Sequence, residues 1–274
     1  MRPHGLHYDV NCSILFTGLP LLQRPAAARA AGFGAVEFWW PFAEAVPSSA
    51  AVEEFASAVE SAGVKLAALN FFAGDLPAGD RGVLSRPAHA REFRDSVDVA
   101  VAIGARLGVS VFNALYGNRL PGEDPRAQDD AAAEALSYAA AAAGTIGAAV
   151  VLEPLSGAAS YPLRTASDAA AVIERVSREG GPGNLRLLAD LYHLAVNGDD
   201  IATVIKAYAP LIGHVQIADA PGRGAPGTGQ IPLGQHLTSL EAAGYRGWVG
   251  LEYLAADAGA AAAFDWLPRC QRGQ

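Results

Sequence analysis

One pattern constrains this chain more than any other: short apolar or β-branched runs alternate eight times with longer, amphipathic, Ala-rich segments. The strand-like runs lie near 6–11 (LHYDVN), 35–38 (AVEF), 65–70 (KLAALN), 109–113 (VSVFN), 149–153 (AVVLE), 185–190 (LRLLAD), 214–218 (HVQIA) and 248–253 (WVGLEY). Helix-like segments fall between them, near 19–31, 51–62, 90–107, 127–147, 166–179, 199–208, 234–243 and 257–267. Gly32, Gly63, Gly108 and Gly244 stand just past predicted helix ends, where a left-handed residue closes a last turn. Strands separated by helices pair in parallel. Eight such units without a linker predict a closed α/β barrel, (β/α)8, as a single domain over residues 1–274.

Composition narrows the partners. A content of 51% hydrophobic and 18% charged residues in 274 is enough for a large core and too apolar for a disordered chain. With 20 Lys+Arg against 28 Asp+Glu, the net charge of −8 argues against nucleic acid, whose phosphates require clustered cations. No run is apolar enough to span a membrane, and His4, His7, Asp9 and Asn11 interrupt any secretory signal. Cys12 and Cys270 form neither a disulfide framework nor a zinc motif. These features predict a cytoplasmic location. The abundant Ala costs the helices nothing.

Four long segments follow predicted strands: 70–89, 113–126, 153–165 and 219–233. In a (β/α)8 barrel such loops ring the C-terminal face, where sites are built. Glu153 and Asp190 end their strands, and Gln216 and Glu252 lie within theirs. Their separations of 37, 26 and 36 residues are each about one βα unit, so the four converge at one barrel mouth. Three carboxylates and an amide crowded together repel unless a cation sits among them, and an all-oxygen set suits Mg2+ or Mn2+. His193 is a candidate donor to a substrate oxygen or a hydrogen-bonded core residue. His214 shares the strand face of Gln216 and suits support one layer deeper. Arg223, on a Gly/Pro-rich loop, suits bidentate binding of a carboxylate, and its loop glycines suit close approach of backbone to a ligand. Glu37, Trp39, Trp40 and Phe42 are candidates for a pocket wall or for loop packing. Asn11, Asn70 and Asn113 are candidates for substrate contacts or loop hydrogen bonds.

PAGDRG (77–82), LEPLS (152–156), ADLYHL (189–194), GHVQIADAPGRGAPGTGQI (213–231) and GWVGLEY (247–253) together resemble the hydroxypyruvate isomerase family, within the xylose-isomerase-like barrels. NCSILFTGLPLLQR (11–24) and AVEFWWPF (35–42) are similar to that family's first two units, so the likeness runs from about residue 7 to about 254. The resemblance implies Glu153, Asp190, Gln216 and Glu252 as ligands of Mg2+ or Mn2+. It implies Glu153 and Glu252 also as the acid/base pair, with His193 and Arg223 contacting substrate oxygens. The implied reaction interconverts hydroxypyruvate and tartronate semialdehyde through an enediolate, and the implied partners are a small hydroxy-oxo acid and further copies of the chain in a homo-oligomer. A 2-oxo-tetronate isomerase or a ketose 3-epimerase on the same site is the alternative, and a non-catalytic sugar-acid-binding barrel a remote one. A metal-dependent abasic-site endonuclease fits poorly, given six His and the acidic balance. Ser156 and Gln230 depart from the family pattern without striking a proposed ligand, so they bear on substrate choice.

Overall fold

The structure is a computed structural model, and it describes residues 4–255 and 263–273. Eight parallel strands close into a barrel in chain order: β1 (His7–Asn11), β2 (Ala35–Phe38), β3 (Lys65–Asn70), β4 (Val111–Asn113), β5 (Ala149–Leu152), β6 (Leu185–Asp190), β7 (Ile212–Ile217) and β8 (Trp248–Leu251). The last strand pairs with the first, with Tyr8 opposite Val249 and Val10 opposite Leu251, so no sheet edge is left open. Helices α1 (Arg24–Ala30), α2 (Ser49–Ala62), α3 (Ala90–Leu107), α4 (Pro125–Gly144), α5 (Ala166–Arg178), α6 (Leu191–Asn197), α7 (Ile201–Tyr208) and α8 (Leu233–Ala242) lie between the strands. No helix among the described residues is long and apolar enough to cross a membrane.

Local chemistry sets the helix ends. Ser48 caps α2 by accepting from Ala51 N, Asp124 caps α4 just before Pro125, and Thr165 with Asp168 forms a reciprocal capping box at α5. Gly63 and Gly108 close α2 and α3 in the left-handed region.

Three helix expectations are corrected. The helix expected over 19–31 is broken into a 3-10 turn at Leu21–Gln23 and α1, because Pro25 tolerates only the first turn of a helix. The short α6 was not expected. It springs directly from β6, and the Asp190 carboxylate caps it by accepting from Tyr192 N and His193 N, 2.8 and 3.3 Å away. Of the helix expected over 257–267, residues 257–262 lie outside the described residues and 263–266 form a turn.

The barrel interior is layered by the two-residue period of its strands. Ala68, Val111, Val151 and Leu188 pack together from β3 to β6 as a small apolar plug. On the opposite wall the same depth is occupied by Asp9, His214 and Gly250 of β1, β7 and β8. Two residues further along each of these strands stand Asn70, Asn113, Glu153, Asp190, Asn11, Gln216 and Glu252, all buried. Seven of the eight strands thus bring a polar residue to the C-terminal mouth, above a floor that is apolar on one side and carries Asp9, His214 and Gly250 on the other. The main core, between sheet and helices, is apolar and includes Phe38, Phe55, Phe93, Phe112, Leu136 and Leu240.

Candidate active site

The structure brings together the four oxygen-bearing residues singled out in the sequence. Glu153 follows β5 directly, Asp190 ends β6, Gln216 lies in β7 and Glu252 follows β8; all are 5% exposed or less. Ligand atoms of Glu153, Asp190 and His193 lie within 4.8 Å of one another. Asp190 Oδ2, Gln216 Oε1 and Glu252 Oε2 have no hydrogen-bond partner among the described residues. A buried oxygen without a hydrogen bond is costly, and these three from neighbouring strands, two of them facing the Arg223 guanidinium, suit further positive charge. Glu252 Oε2 does face Arg223 Nη2 at 2.9 Å, as an ion pair without hydrogen-bond alignment. The four residues offer oxygen donors, three of them carboxylates, a set that fits a hard divalent cation, with the His193 nitrogen beside them.

The electrostatics agree. Burial, with the charges of Glu252 and Asp190, pushes the Glu153 carboxyl well above the usual carboxylate range. Burial pushes Glu252 up to about 7, against the pull of Arg223. Burial also raises Asp190, opposed by Arg223 and by the two backbone N–H groups it accepts.

Each of the two glutamates has one oxygen held and the other left available. Asn113 Nδ2 donates to Glu153 Oε2 at 2.7 Å, leaving Oε1 on the side of His193. Trp39 Nε1 and Asn11 Nδ2 donate to Glu252 Oε1 at 2.7 and 3.2 Å, leaving Oε2 on the side of Arg223. Asn11, Asn113 and Trp39 thus orient carboxylates. Asn70 lines the cavity, while Trp40 packs on Phe42 and Phe42 on Phe55.

Glu37 is not a wall of the pocket. A register shift between Val36 and Glu37 sets it opposite Ala68, one layer down on β3. From there its Oε1 accepts from Gln216 Nε2 at 2.7 Å and Asn11 Nδ2 at 2.9 Å, while Oε2 meets His214 Nε2 at 2.6 Å. Because the Gln216 amide nitrogen is engaged below, its carbonyl oxygen must face the cluster. His214 therefore lies one layer deeper, and the carboxylate it supports is Glu37. Gly250 makes room: a Cβ there would lie 2.7–2.9 Å from the Glu37 carboxylate. Asp9, beside Glu37, is pushed well above the usual carboxylate range by complete burial and by the Glu37 charge.

His193 is fixed by α6 and by Ser156. Its Nδ1 accepts from Ser156 N at 3.0 Å and contacts Ser156 Oγ at 2.7 Å. A backbone N–H can only donate, so Nδ1 is unprotonated and the neutral ring carries its proton on Nε2. Nε2 is 3.6 Å from Asp190 Oδ2 and 3.9 Å from Glu153 Oε1, facing the cluster. Burial and the nearby Arg223 push the imidazole down to about 4, so it is a neutral donor at physiological pH.

The loops expected around the mouth enclose a cavity of about 390 Å³ lined by Trp39, Leu76, Pro77, Arg81, Leu115 and Leu155 as well as by Glu153, His193, Arg223 and Glu252. Arg223 holds a left-handed backbone, φ 54°, and its guanidinium lies 2.9 Å from Glu252 and 3.8 Å from Asp190, over the Tyr192 ring. Two of its loop glycines have a steric role within the loop. Side chains at Gly224 and Gly229 would collide with Thr228 and with the Ala220 carbonyl, so these glycines let the loop fold on itself. Asp219 anchors that fold by accepting from the N–H groups of Ala220, Gly227 and Ile231.

A polar-mouthed parallel barrel with this cluster defines the class, and comparison places the chain within it. The family model of xylose isomerase-like TIM barrels matches residues 25–270, and the chain belongs to that family. Relatives within it are named hydroxypyruvate isomerase and 2-oxo-tetronate isomerase. A Streptomyces coelicolor protein whose provisional name is hydroxypyruvate isomerase is 54% identical over 95% of both chains. The hydroxypyruvate isomerase of Escherichia coli is 32% identical over 90% of this chain and 93% of its own. The 2-oxo-tetronate isomerase of Cupriavidus necator is 31% identical over 95% of this chain and 96% of its own. Among solved structures, a Brucella melitensis protein described as an AP endonuclease of family 2 superposes with a TM-score of 0.85 at 29% identity, covering 95% of this chain and 97% of that one.

Proposed function

We propose that this chain is an isomerase of small hydroxy-oxo acids that interconverts hydroxypyruvate and tartronate semialdehyde. The observation that carries the reading is the cluster itself: buried oxygens of Asp190, Gln216 and Glu252 without a hydrogen bond, beside Glu153, with an amide pinning the other oxygen of each glutamate. Glu153, Asp190, Gln216 and Glu252 would hold Mg2+ or Mn2+, which when bound supplies Lewis acidity toward the substrate's carbonyl and hydroxyl oxygens.

The rest of the chemistry falls to the chain's own groups. Glu153 and Glu252 come from strands three apart round the ring, so they address the substrate from different sides. One removes the C3 proton and the other delivers a proton to C2, while the O3 hydroxyl proton passes to O2. Each positioned acid or base contributes roughly 10²–10⁴ in rate. His193 Nε2–H donates to the oxygen on which negative charge grows, and the apolar walls Leu76, Leu115 and Leu155 exclude water. A four-carbon 2-oxo acid is the second reading, favoured by a 390 Å³ cavity roomier than three carbons fill and by the Cupriavidus necator relative.

The test is conversion, followed by NMR, of hydroxypyruvate and its four-carbon homologues by protein stripped with chelator and reloaded with Mg2+ or Mn2+. Turnover of hydroxypyruvate that returns with the cation is the expected result. Preference for the four-carbon acid selects the second reading, and no turnover of either acid removes both.

A further inference from the structure

The PAGDRG segment is not absorbed by the cluster, yet the fold holds it with unusual firmness. Gly82 donates its N–H to Ala73 O at 2.9 Å and bridges to Tyr116, and Arg81 O accepts from Gly117 N at 2.9 Å. A side chain at Gly82 would lie 1.9 Å from Leu115 O, and φ there is +102°, so only glycine lets the 70–89 loop lie this close to the 113–126 loop. Asp80 accepts from Asp75 N at 2.9 Å and pairs with Arg86. The backbone on both sides of Arg81 is therefore fixed.

The Arg81 side chain is partly anchored as well. Nη1 donates to the carbonyls of Leu76 and Asp80 at 3.1 and 2.6 Å, which sets the plane of the guanidinium. No hydrogen bond among the described residues uses its Nε or Nη2, and no acidic side chain there lies within ion-pair distance. Arg81 nevertheless lines the same cavity as Glu153, His193 and Glu252. Arg223, the other arginine of that cavity, has its charge answered by Glu252 and Asp190.

We propose that Arg81 is the carboxylate-binding residue of this cavity, taking the carboxylate of a short 2-oxo or 2-hydroxy acid, while Arg223 positions Glu252. This rests on the isomerase reading for the substrate but on the loop geometry for the site. An anionic substrate enters a cavity that two carboxylates, Glu153 and Glu252, already line, so it is best held by a cation whose donors are not spent. Arg81 meets that requirement with a preset guanidinium edge, and a planar fork matches a carboxylate where an ammonium does not. The assignment moves carboxylate recognition from the 219–233 loop to the 70–89 loop.

The test compares wild type, Arg81→Gln and Arg81→Lys in three measurements: KM and kcat for hydroxypyruvate, calorimetric binding of tartronate, and C–H exchange into D2O of hydroxyacetone. Hydroxyacetone keeps the reacting carbons and replaces the carboxylate with methyl. Arg81→Gln is expected to raise KM for hydroxypyruvate about 30-fold or more with a smaller fall in kcat, and to weaken tartronate by a similar factor. Its preference for hydroxypyruvate over hydroxyacetone falls by the same factor. Arg81→Lys, which keeps charge without the fork, is expected to lose about tenfold, and it carries the test if the Gln variant fails to fold. Equal losses on both substrates, or tartronate binding within about threefold of wild type, overturn the assignment. Arg81-dependent tartronate binding in a wild type that does not turn over hydroxypyruvate would sink the activity and leave the subsite standing.

Discussion

Replacing Glu37 with Gln tests whether the layer beneath the cluster sets its affinity for a cation. The carboxylate accepts from Gln216 and Asn11 on Oε1 and meets His214 on Oε2, every contact at 2.9 Å or less. A charge-assisted hydrogen bond exceeds a neutral one by about 1 kcal/mol. The two amide donors that reach the cluster are Gln216, whose free oxygen faces it, and Asn11, which also holds Glu252 Oε1 at 3.2 Å. Weakening both costs about 2 kcal/mol, which corresponds to about 30-fold in affinity if carried wholly to the cation. That lies within the 10–100-fold range typical of losing an outer hydrogen-bond partner of a metal ligand. The assay is titration of chelator-treated protein with Mn2+ by electron paramagnetic resonance, alongside thermal melting by circular dichroism. Glu37→Leu, which leaves the donors with no acceptor and frees the Gln216 amide to turn over, is expected to bind still more weakly. Mn2+ affinity within about threefold of wild type in a normally melting Glu37→Gln protein would refute the reasoning.

Other consequences are open to direct measurement. Glu252→Gln is expected to abolish exchange of the C3 hydrogen of hydroxypyruvate with D2O while the protein stays folded, and undiminished exchange removes Glu252 from proton transfer. In chelator, the folded protein holds a proton on Glu252 up to about pH 7, well above the unfolded carboxyl. That group's contribution to stability is therefore present at pH 4 and lost as pH rises through 7, by about 3 kcal/mol in all. Urea melts at pH 5 and 8 should show a larger loss in wild type than in Glu252→Gln, where Glu153, Asp190 and Asp9 still contribute, and saturating Mn2+ should reduce it; identical pH slopes in the two proteins would contradict this. Gly250→Ala drives a methyl into the Glu37 carboxylate and is expected to cost about 1–3 kcal/mol, together with Mn2+ affinity. An unchanged melting midpoint would mean the floor has slack. Ser156→Ala keeps the backbone N–H that sets the His193 tautomer, so its kcat should fall less than about tenfold; a loss as large as that of His193→Asn would assign the hydroxyl a larger part.

The eight strands were legible in the sequence because each is a β-branched or apolar run, and the unit length of the barrel made Glu153, Asp190, Gln216 and Glu252 stand out as residues one βα unit apart. What stayed hidden depends on contacts across the ring. Glu37 and His214 are 177 positions apart, and nothing along the chain announces that a one-residue register shift on β2 sets Glu37 between two layers. A signal existed nonetheless. Counting back two residues from each mouth residue gives Asp9, Ala68, Val111, Val151, Leu188, His214 and Gly250, in which two ionisable residues and a glycine interrupt an otherwise apolar floor. The α6 helix escaped because seven residues are too few to display helical periodicity, and because its cap, Asp190, read first as a ligand.

That double use of Asp190 shows how the fold solves a conflict. One oxygen faces the cluster without a partner, while the other is tied down by the first turn of α6, the helix that also carries His193. Rotating the carboxylate to relieve the free oxygen would uncap α6 and swing His193 away from Glu153, so the unpartnered oxygen cannot be satisfied by local rearrangement. The same holds for Gln216 and Glu252, whose other polar atoms are held by Glu37, Asn11 and Trp39. The protein thus binds the far side of each ligand so that the near side stays exposed to whatever enters. For this reason a bound cation should stabilise the chain far more than it reshapes it, raising the melting temperature while the backbone around the cluster stays in place.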